Sequence, residues 1–198
     1  MNGWRLTGLL SLLLLAMSVS FLAGRADVED LRLMIRATAR TSLILFALAF
    51  AAGALVELAP NNFTRWQRRN RRYLGVSFAV SHAIHLVALI ALARIDADLF
   101  WALTNPANVV LAGAAYVLLA AMTATSFDRT AAWVGARKWR LLHLVGGWYI
   151  WISFAVAVGK RLPQGPVYWA MMALVLGVAI VRLVAMSRRS RRARVVTA

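Results

Sequence analysis

The segment RRYLGVSFAVSHAIHLVALIAL, residues 71–92, opens with two arginines and continues for twenty residues without a formal charge. A helix needs about 20 predominantly apolar residues to cross the roughly 30 Å hydrocarbon core of a bilayer. The segment therefore predicts a transmembrane helix. It also carries two histidines, His82 and His85, near the middle of that helix. Ionisable residues are uncommon at such a depth and indicate a functional site by default.

Five further segments have the length and apolar character of a membrane span, in a chain of 198 residues of which 62% are hydrophobic. The six predicted spans cover about residues 4–24, 38–59, 74–95, 108–127, 140–159 and 166–186. No connection between them is long enough to form a second core. The sequence therefore predicts an all-α, polytopic six-helix bundle. It forms a single transmembrane domain over residues 1–198, ending in a basic cytoplasmic tail at 187–198.

The basic residues are concentrated in three short segments, although a net charge of +16 would suggest a nucleic-acid partner in a soluble protein. These segments lie between residues 65 and 72, 129 and 140, and 188 and 194. Six alternating spans put all three on one side, which the positive-inside rule makes cytoplasmic. Five of the seven acidic residues fall in the opposite connections. We therefore expect the lipid bilayer, and not nucleic acid, as the partner, and a cytoplasmic C-terminus.

The first predicted span has two interpretations. Residues 1–24 fit a secretory signal peptide, because the apolar run ends near the small residues Ala23 and Gly24. A retained first helix is preferred, since Arg5 is the only charge before a long apolar run. The topology of the other five spans is the same in both cases.

Helical periodicity places the histidines on defined faces. Spacings of 4, 3, 4 and 3 residues give the third predicted helix one face that carries Arg71, Gly75, Phe78, His82 and His85. The remaining histidine, His143, begins a similar face of the fifth helix, followed by Gly146, Gly147 and Ile150. Glycines on such a face leave room for a flat group to approach the backbone.

Two chemistries account for these intramembrane histidines. In one, neutral imidazole nitrogens on facing helices are axial ligands of haem iron. In the other, the histidines form interhelical hydrogen bonds of about 1 kcal/mol each in a cofactor-free scaffold or small transporter. The absence of cysteine excludes thiolate metal sites and iron–sulfur clusters. A proton relay is disfavoured, because Glu57 is the only candidate acid and we expect it to pair with a nearby arginine.

Three segments in the central part of the chain form a recognisable set. They are RRYLGVSFAVSHAIH at 71–85, TATSF at 123–127 and ARKWRLLHLVGGWY at 136–149. The set resembles the ferric-reductase-like transmembrane domain family, and within it the haem-binding membrane subunits of periplasmic methionine sulfoxide reductase systems. The remaining helices match that family only in being membrane spans.

This resemblance implies a membrane electron-transfer subunit that binds haem b. It puts His85 and His143 at family haem-ligand positions, and Arg71 where relatives carry an arginine or another ligand histidine. His82 is an addition to the family pattern and a third candidate ligand. The full predicted haem site consists of the candidate metal ligands His82, His85 and His143 and the neighbouring residues Arg71, Gly75, Gly146 and Gly147.

The resemblance also implies the partners of such a subunit. Electrons would arrive from a quinol or a cytoplasmic flavin reductase, because the sequence has no Gly-rich dinucleotide loop. They would pass to a periplasmic molybdoenzyme that reduces oxidised methionine. Quinone and FMN are further candidate cofactors. The expected location is the bacterial inner (plasma) membrane.

One position departs from the family pattern. Relatives usually carry a second histidine thirteen residues beyond the first on the fifth helix, and Val156 stands there. Moreover, His143 lies about three residues inside its helix and His85 about thirteen, so their depths differ by roughly 15 Å. Using His82 reduces that offset by about 4.5 Å. The alternatives are a haem with one histidine, for which Met171 or Met172 is an available soft ligand, or a relative that has lost a haem.

Overall fold

A computed structural model describes residues 2–23 and 27–196 of the chain, with side chains as far as residue 191. The described residues form helices only: α1 Trp4–Leu22, α2 Val28–Leu58, α3 Asn62–Arg69, α4 Arg71–Ile95, α5 Ala97–Leu103, α6 Pro106–Ala124, α7 Asp128–Val134, α8 Ala136–Gly159 and α9 Pro166–Val196, with a short 3-10 helix at Leu162–Gln164 before α9. Six of them, α1, α2, α4, α6, α8 and α9, are long and apolar enough to cross a membrane. The prediction of an all-α, six-span bundle is confirmed.

Helix α2 is longer than predicted, beginning at Val28 and not near residue 38. Asp27 caps its first turn, because the carboxylate accepts hydrogen bonds from the backbone N–H groups of Glu29 and Asp30. Glu29 then forms ion pairs with Arg32 at 2.8 Å and Arg36 at 2.7 Å. Polar residues such as these are typical of a connecting loop. Here their capping hydrogen bonds and ion pairs stabilise the first turns of the helix.

Three connections that the sequence left without structure contain the short α-helices α3, α5 and α7. Asn61 starts α3 with a capping box, in which its side chain and that of Thr64 each bond the other's backbone N–H. Asp96 caps α5 through the N–H of Leu99. At the chain's end, α9 continues beyond the apolar residues, so the predicted basic tail is helical as far as Val196.

Contacts between helix ends define the two ends of the bundle. At one end Arg72 of α4 pairs with Asp128 of α7 at 2.7 Å, and Glu57 of α2 pairs with Arg189 of α9. This basic end holds the three arginine-rich segments 65–72, 129–140 and 188–191. At the opposite end, Lys160 donates a hydrogen bond to Asn108 at 2.9 Å. The expected pairing of Glu57 with an arginine is confirmed.

Helices α2 and α4 are joined by hydroxyl groups near the middle of α4. Ser42 donates a hydrogen bond to the Ser81 hydroxyl at 2.9 Å, and Thr41 lies 3.0 Å from the same oxygen. Ser42 and Ser81 are completely buried. Interhelical hydrogen bonds of this kind stabilise membrane bundles by roughly 0.6 kcal/mol each. They fix the register of α2 against the histidine-bearing helix α4.

Aromatic rings fill the space between α2, α4 and α8. Phe46 lies 4.9 Å from Phe50, and 5.4 Å from each of Phe78 and Phe154, between ring centroids. All four side chains are buried. The interior next to the histidines is therefore a packed apolar wall.

Candidate functional site

Three rings from two helices form a stack in the bundle interior. His82 and His85 of α4 lie with centroids 5.4 Å apart and planes within 17°. Tyr116 of α6 lies on His82 at 4.7 Å and 25°. We call His85, His82 and Tyr116 the histidine–tyrosine stack. The predicted common face of the two histidines is present in the structure.

The neighbouring helix α2 holds the His85 ring in one orientation. Its Nδ1 lies 3.1 Å from the backbone carbonyl oxygen of Ile35 and 3.0 Å from the Thr38 hydroxyl. A carbonyl oxygen only accepts, so the network assigns the ring proton to Nδ1. Nε2 then keeps a free lone pair. Metal-ligating histidines are commonly oriented in this way, by donating their other nitrogen to a carbonyl.

The rest of the stack contains polar atoms without partners. The Nδ1 atom of His82 and the hydroxyl oxygen of Tyr116 are buried and form no hydrogen bond with any residue that the structure describes. A buried polar group left unpaired costs about 1–3 kcal/mol. Such groups in a native structure call for an explanation, for instance a ligand that satisfies them.

His143 has different surroundings at the basic end. Its ring stacks on Trp139 with centroids 4.3 Å apart, and its Nε2 lies 3.3 Å from the Thr125 hydroxyl. That hydroxyl donates to the Ala121 carbonyl at 2.8 Å, so its oxygen is the acceptor for His143. The bond therefore occupies Nε2 and leaves Nδ1 as the basic nitrogen.

The structure does not bring His143 to the histidine–tyrosine stack. On α6, Tyr116 contacts His82 and Thr125 contacts His143, and these nine residues span about 13.5 Å. On α8, Phe154 lies 5.9 Å from His82, eleven residues or about 16.5 Å beyond His143. The two helices give similar offsets in depth. One iron therefore does not fit between His143 and either histidine of α4.

The glycines of α8 do not provide the expected room for a flat group. A Cβ atom added to Gly146 would lie 2.5 Å from the sulfur of Met122, and one added to Gly147 would lie 2.8 Å from the Phe50 ring. Both glycines instead allow α8 to pack closely against α6 and α2. Gly75 of α4 differs, because a Cβ there would meet nothing within 4 Å. Of the three glycines predicted to lie at the site, only Gly75 on α4 therefore has open space beside it.

Position 156 faces outward. Val156, where the family carries a second histidine, is 48% exposed on the surface of the bundle. The α8 side chain that reaches His82 is Phe154, at 5.9 Å. Met172 packs beside the end of α8, with its methyl group 3.6 Å from where a Cβ on Gly159 would lie.

Arg71 is separated from the histidines that share its helical face. It lines a cavity of about 320 Å³ at the basic end, together with Arg68, Arg182 and Arg189. Arg182 was missed by the sequence reasoning, although a charge inside the last predicted span was a visible signal. Tyr116 was also missed, and a lone tyrosine within an apolar span is a weaker signal.

Protein groups alone do not form a metal centre in the described part of the chain. Nowhere in it do three or more histidine, cysteine, aspartate or glutamate side chains meet closely enough to hold an ion. A porphyrin supplies four nitrogens itself and requires only axial ligands from the protein. The Nε2 of His85, which the bonds at Nδ1 leave with its lone pair, could serve as one such ligand.

Comparison with known proteins yields no relative. No family model matches the chain, and no curated protein and no solved structure matches it significantly.

Proposed function

We propose that the chain is a membrane electron-transfer subunit that binds b-type haem at the histidine–tyrosine stack. The observation that carries the proposal is the orientation of His85, whose Nδ1 is bonded to Ile35 and Thr38 while Nε2 stays free. Two buried polar atoms without partners, on His82 and Tyr116, lie in the same stack. These groups thus support a haem whose protein ligand comes from α4, and not a haem with ligands from both α4 and His143.

The residues around the stack have definite roles in this proposal. Bound haem would supply a one-electron redox centre. Ile35 and Thr38 hold the His85 ring, so that its Nε2 is directed by α2 and not by free rotation. Phe78 and Phe154 pack against His82 at 5.3 and 5.9 Å and give the stack apolar neighbours. Apolar surroundings of this kind tune the potential of a redox centre.

The partners follow from the resemblance in the sequence. On this proposal the chain lies in a bacterial inner membrane, with the basic end in the cytoplasm. A quinol or a cytoplasmic flavin reductase donates the electrons, with quinone or FMN as an additional cofactor. A periplasmic molybdoenzyme that reduces oxidised methionine accepts them. In this role the chain carries electrons for an oxidoreductase system and performs little bond-making chemistry of its own.

The proposed orientation is tested with topology reporters. A reporter fused after Arg194 is expected to be cytoplasmic, and one inserted near Asp98 to be periplasmic, because the arginine-rich segments set the orientation. The measurement uses two reporters, one active only in the cytoplasm and the other only in the periplasm, and compares their activities at each position. The reverse pattern would refute the proposed orientation.

A second candidate function is a cofactor-free scaffold, and one observation favours it. The histidines bonded in the structure link neighbouring helices, His85 to α2 and His143 to α6, as expected of interhelical packing groups. Protein purified after haem-replete expression distinguishes the candidates. A Soret band and a reducible α-band support the haem protein, and a colourless preparation supports the scaffold.

Thr38 is expected to act as a positioning residue for His85. The variant Thr38→Val keeps the side-chain shape but removes the hydroxyl that holds the ring, and we expect roughly 10–100-fold weaker haem binding with altered low-spin bands. Thr41→Val is the matched control, because its hydroxyl lies one turn further along α2 and contacts Ser81. Haem titration and spectra of both variants provide the measurement. Equal behaviour of the two variants would show that Thr38 has only a packing role.

A further inference from the structure

The cavity at the basic end is strongly cationic. It has a volume of about 320 Å³ and is lined by arginines from three helices. Arg68 comes from α3, Arg71 from the first turn of α4, and Arg182 and Arg189 from α9. Gly53 forms part of the α2 wall, where a Cβ atom would meet nothing within 4 Å. The cavity is thus an open space surrounded by guanidinium groups.

These arginines have little negative charge near them. Glu57 neutralises Arg189, and this carboxylate is only 18% exposed. In the residues that the structure describes, no carboxylate forms a salt bridge with Arg68, Arg71 or Arg182. Arg182 donates to the Phe50 carbonyl at 2.7 Å, but its Nε is buried and lacks a partner among those residues. The Arg182 guanidinium also lies 3.8 Å from the centroid of the Phe50 ring, so a cation–π contact offsets part of its charge, whereas its Nε donor remains unused.

The depth of the cavity is that of the lipid headgroups. Ser42 and Ser81 mark the middle of the bundle, where α2 and α4 are bonded together. From that level, Arg71 lies ten residues along α4 and Gly53 eleven along α2, or about 15–16.5 Å toward the basic end. This distance is half of the roughly 30 Å hydrocarbon thickness. The cavity therefore lies at the boundary between acyl chains and headgroups.

The geometry points to a binding site for a phosphate group in this cavity, supplied either by an anionic lipid headgroup or by a free phosphate compound. Guanidinium groups donate in a planar fork that matches phosphate oxygens, and several of them surround one anion readily. A bound phosphate also relieves the repulsion among Arg68, Arg71 and Arg182, which have no carboxylate partner in the described residues. The site is separate from the histidine–tyrosine stack, and phosphate binding does not depend on haem.

Binding to detergent-solubilised full-length protein tests the site. The titrants are short-chain phosphatidylglycerol, inorganic phosphate and, as a zwitterionic control, short-chain phosphatidylcholine. The double variant Arg68→Gln/Arg71→Gln removes two lining charges at exposed positions. Its matched control, Arg65→Gln/Arg69→Gln, removes two charges from the same end of the bundle, at positions outside the cavity lining. We expect saturable one-to-one binding, about tenfold weaker in the first variant than in the second, as for the loss of one charged hydrogen bond.

The titrants distinguish the two sources of phosphate. Tighter binding of phosphatidylglycerol than of inorganic phosphate assigns the site to lipid, and equal affinities assign it to a free phosphate compound. Equal affinities of the two double variants overturn the proposal, because they show general attraction to a cationic surface. Loss of phosphate binding when the protein is loaded with haem also overturns it, since a haem propionate is then the occupant.

Discussion

On the proposed function, the variants His82→Ala and His85→Ala are each expected to lose most of the bound haem. His85 offers the free Nε2, and His82 is the ring of α4 that stacks on it. Loss of even an outer hydrogen-bonding partner costs roughly 10–100-fold in metal affinity, so loss of a ligand costs at least as much. The haem-to-protein ratio and the reduced-minus-oxidised spectrum are the measurements.

His143→Ala and Tyr116→Phe are the comparison variants. His143 lies about 13.5 Å or more from the stack in depth, so its removal is expected to leave this haem in place. Tyr116→Phe keeps the ring on His82 and removes only the unpaired hydroxyl. If haem content were unchanged in both α4 variants, the histidines would not be ligands. If it fell only in His143→Ala, the haem site would lie at the basic end.

Gly147→Ala is expected to destabilise the bundle by about 1–3 kcal/mol, the usual cost of overpacking a filled core. Its new Cβ would lie 2.8 Å from the Phe50 ring, which is itself packed between Phe46, Trp148 and Arg182. Gly146→Ala is expected to cost less, because the atom in its way belongs to the flexible side chain of Met122. Thermal unfolding in one detergent compares these variants.

Gly75→Ala is the control for helix propensity. With nothing within 4 Å of its Cβ, this change is expected to leave stability unchanged or raise it by up to about 1 kcal/mol. If a flat ring approaches α4 at this glycine, the same variant lowers haem content without lowering stability. Equal destabilisation by Gly75→Ala and Gly147→Ala would contradict the packing described for α8.

Sequence reasoning succeeded where one physical constraint dominates. Bilayer thickness sets the length of a span, so the apolar runs predicted all six long helices. Helical periodicity alone placed His82 and His85 on one face. The start of α2 at Val28 was missed, because a capped and ion-paired helical turn has the composition of a loop.

Hydrogen bonds between side chains of different helices could not be predicted from the sequence. The bonds from His85 to Thr38 and Ile35 depend on the register of α2 against α4, and that register is set by buried hydroxyls 40 or so residues apart in the chain. The same limit applies to Gly146 and Gly147. Two glycines in a helix indicate that another group packs closely against the backbone, but only the structure shows that this group is a side chain of α6 or α2.

The hydroxyl bonds between α2 and α4 have a consequence for the order in which the protein assembles. No water competes for these groups inside a bilayer, so the two helices gain from associating as soon as both are inserted. They are also near neighbours in the chain, because the eight-residue α3 forms most of their connection, and closing so short a loop costs little entropy. During synthesis from the N-terminus, α2 and α4 are thus the first pair able to satisfy these hydroxyls. The later spans then add to a nucleus that already holds both histidines of the stack.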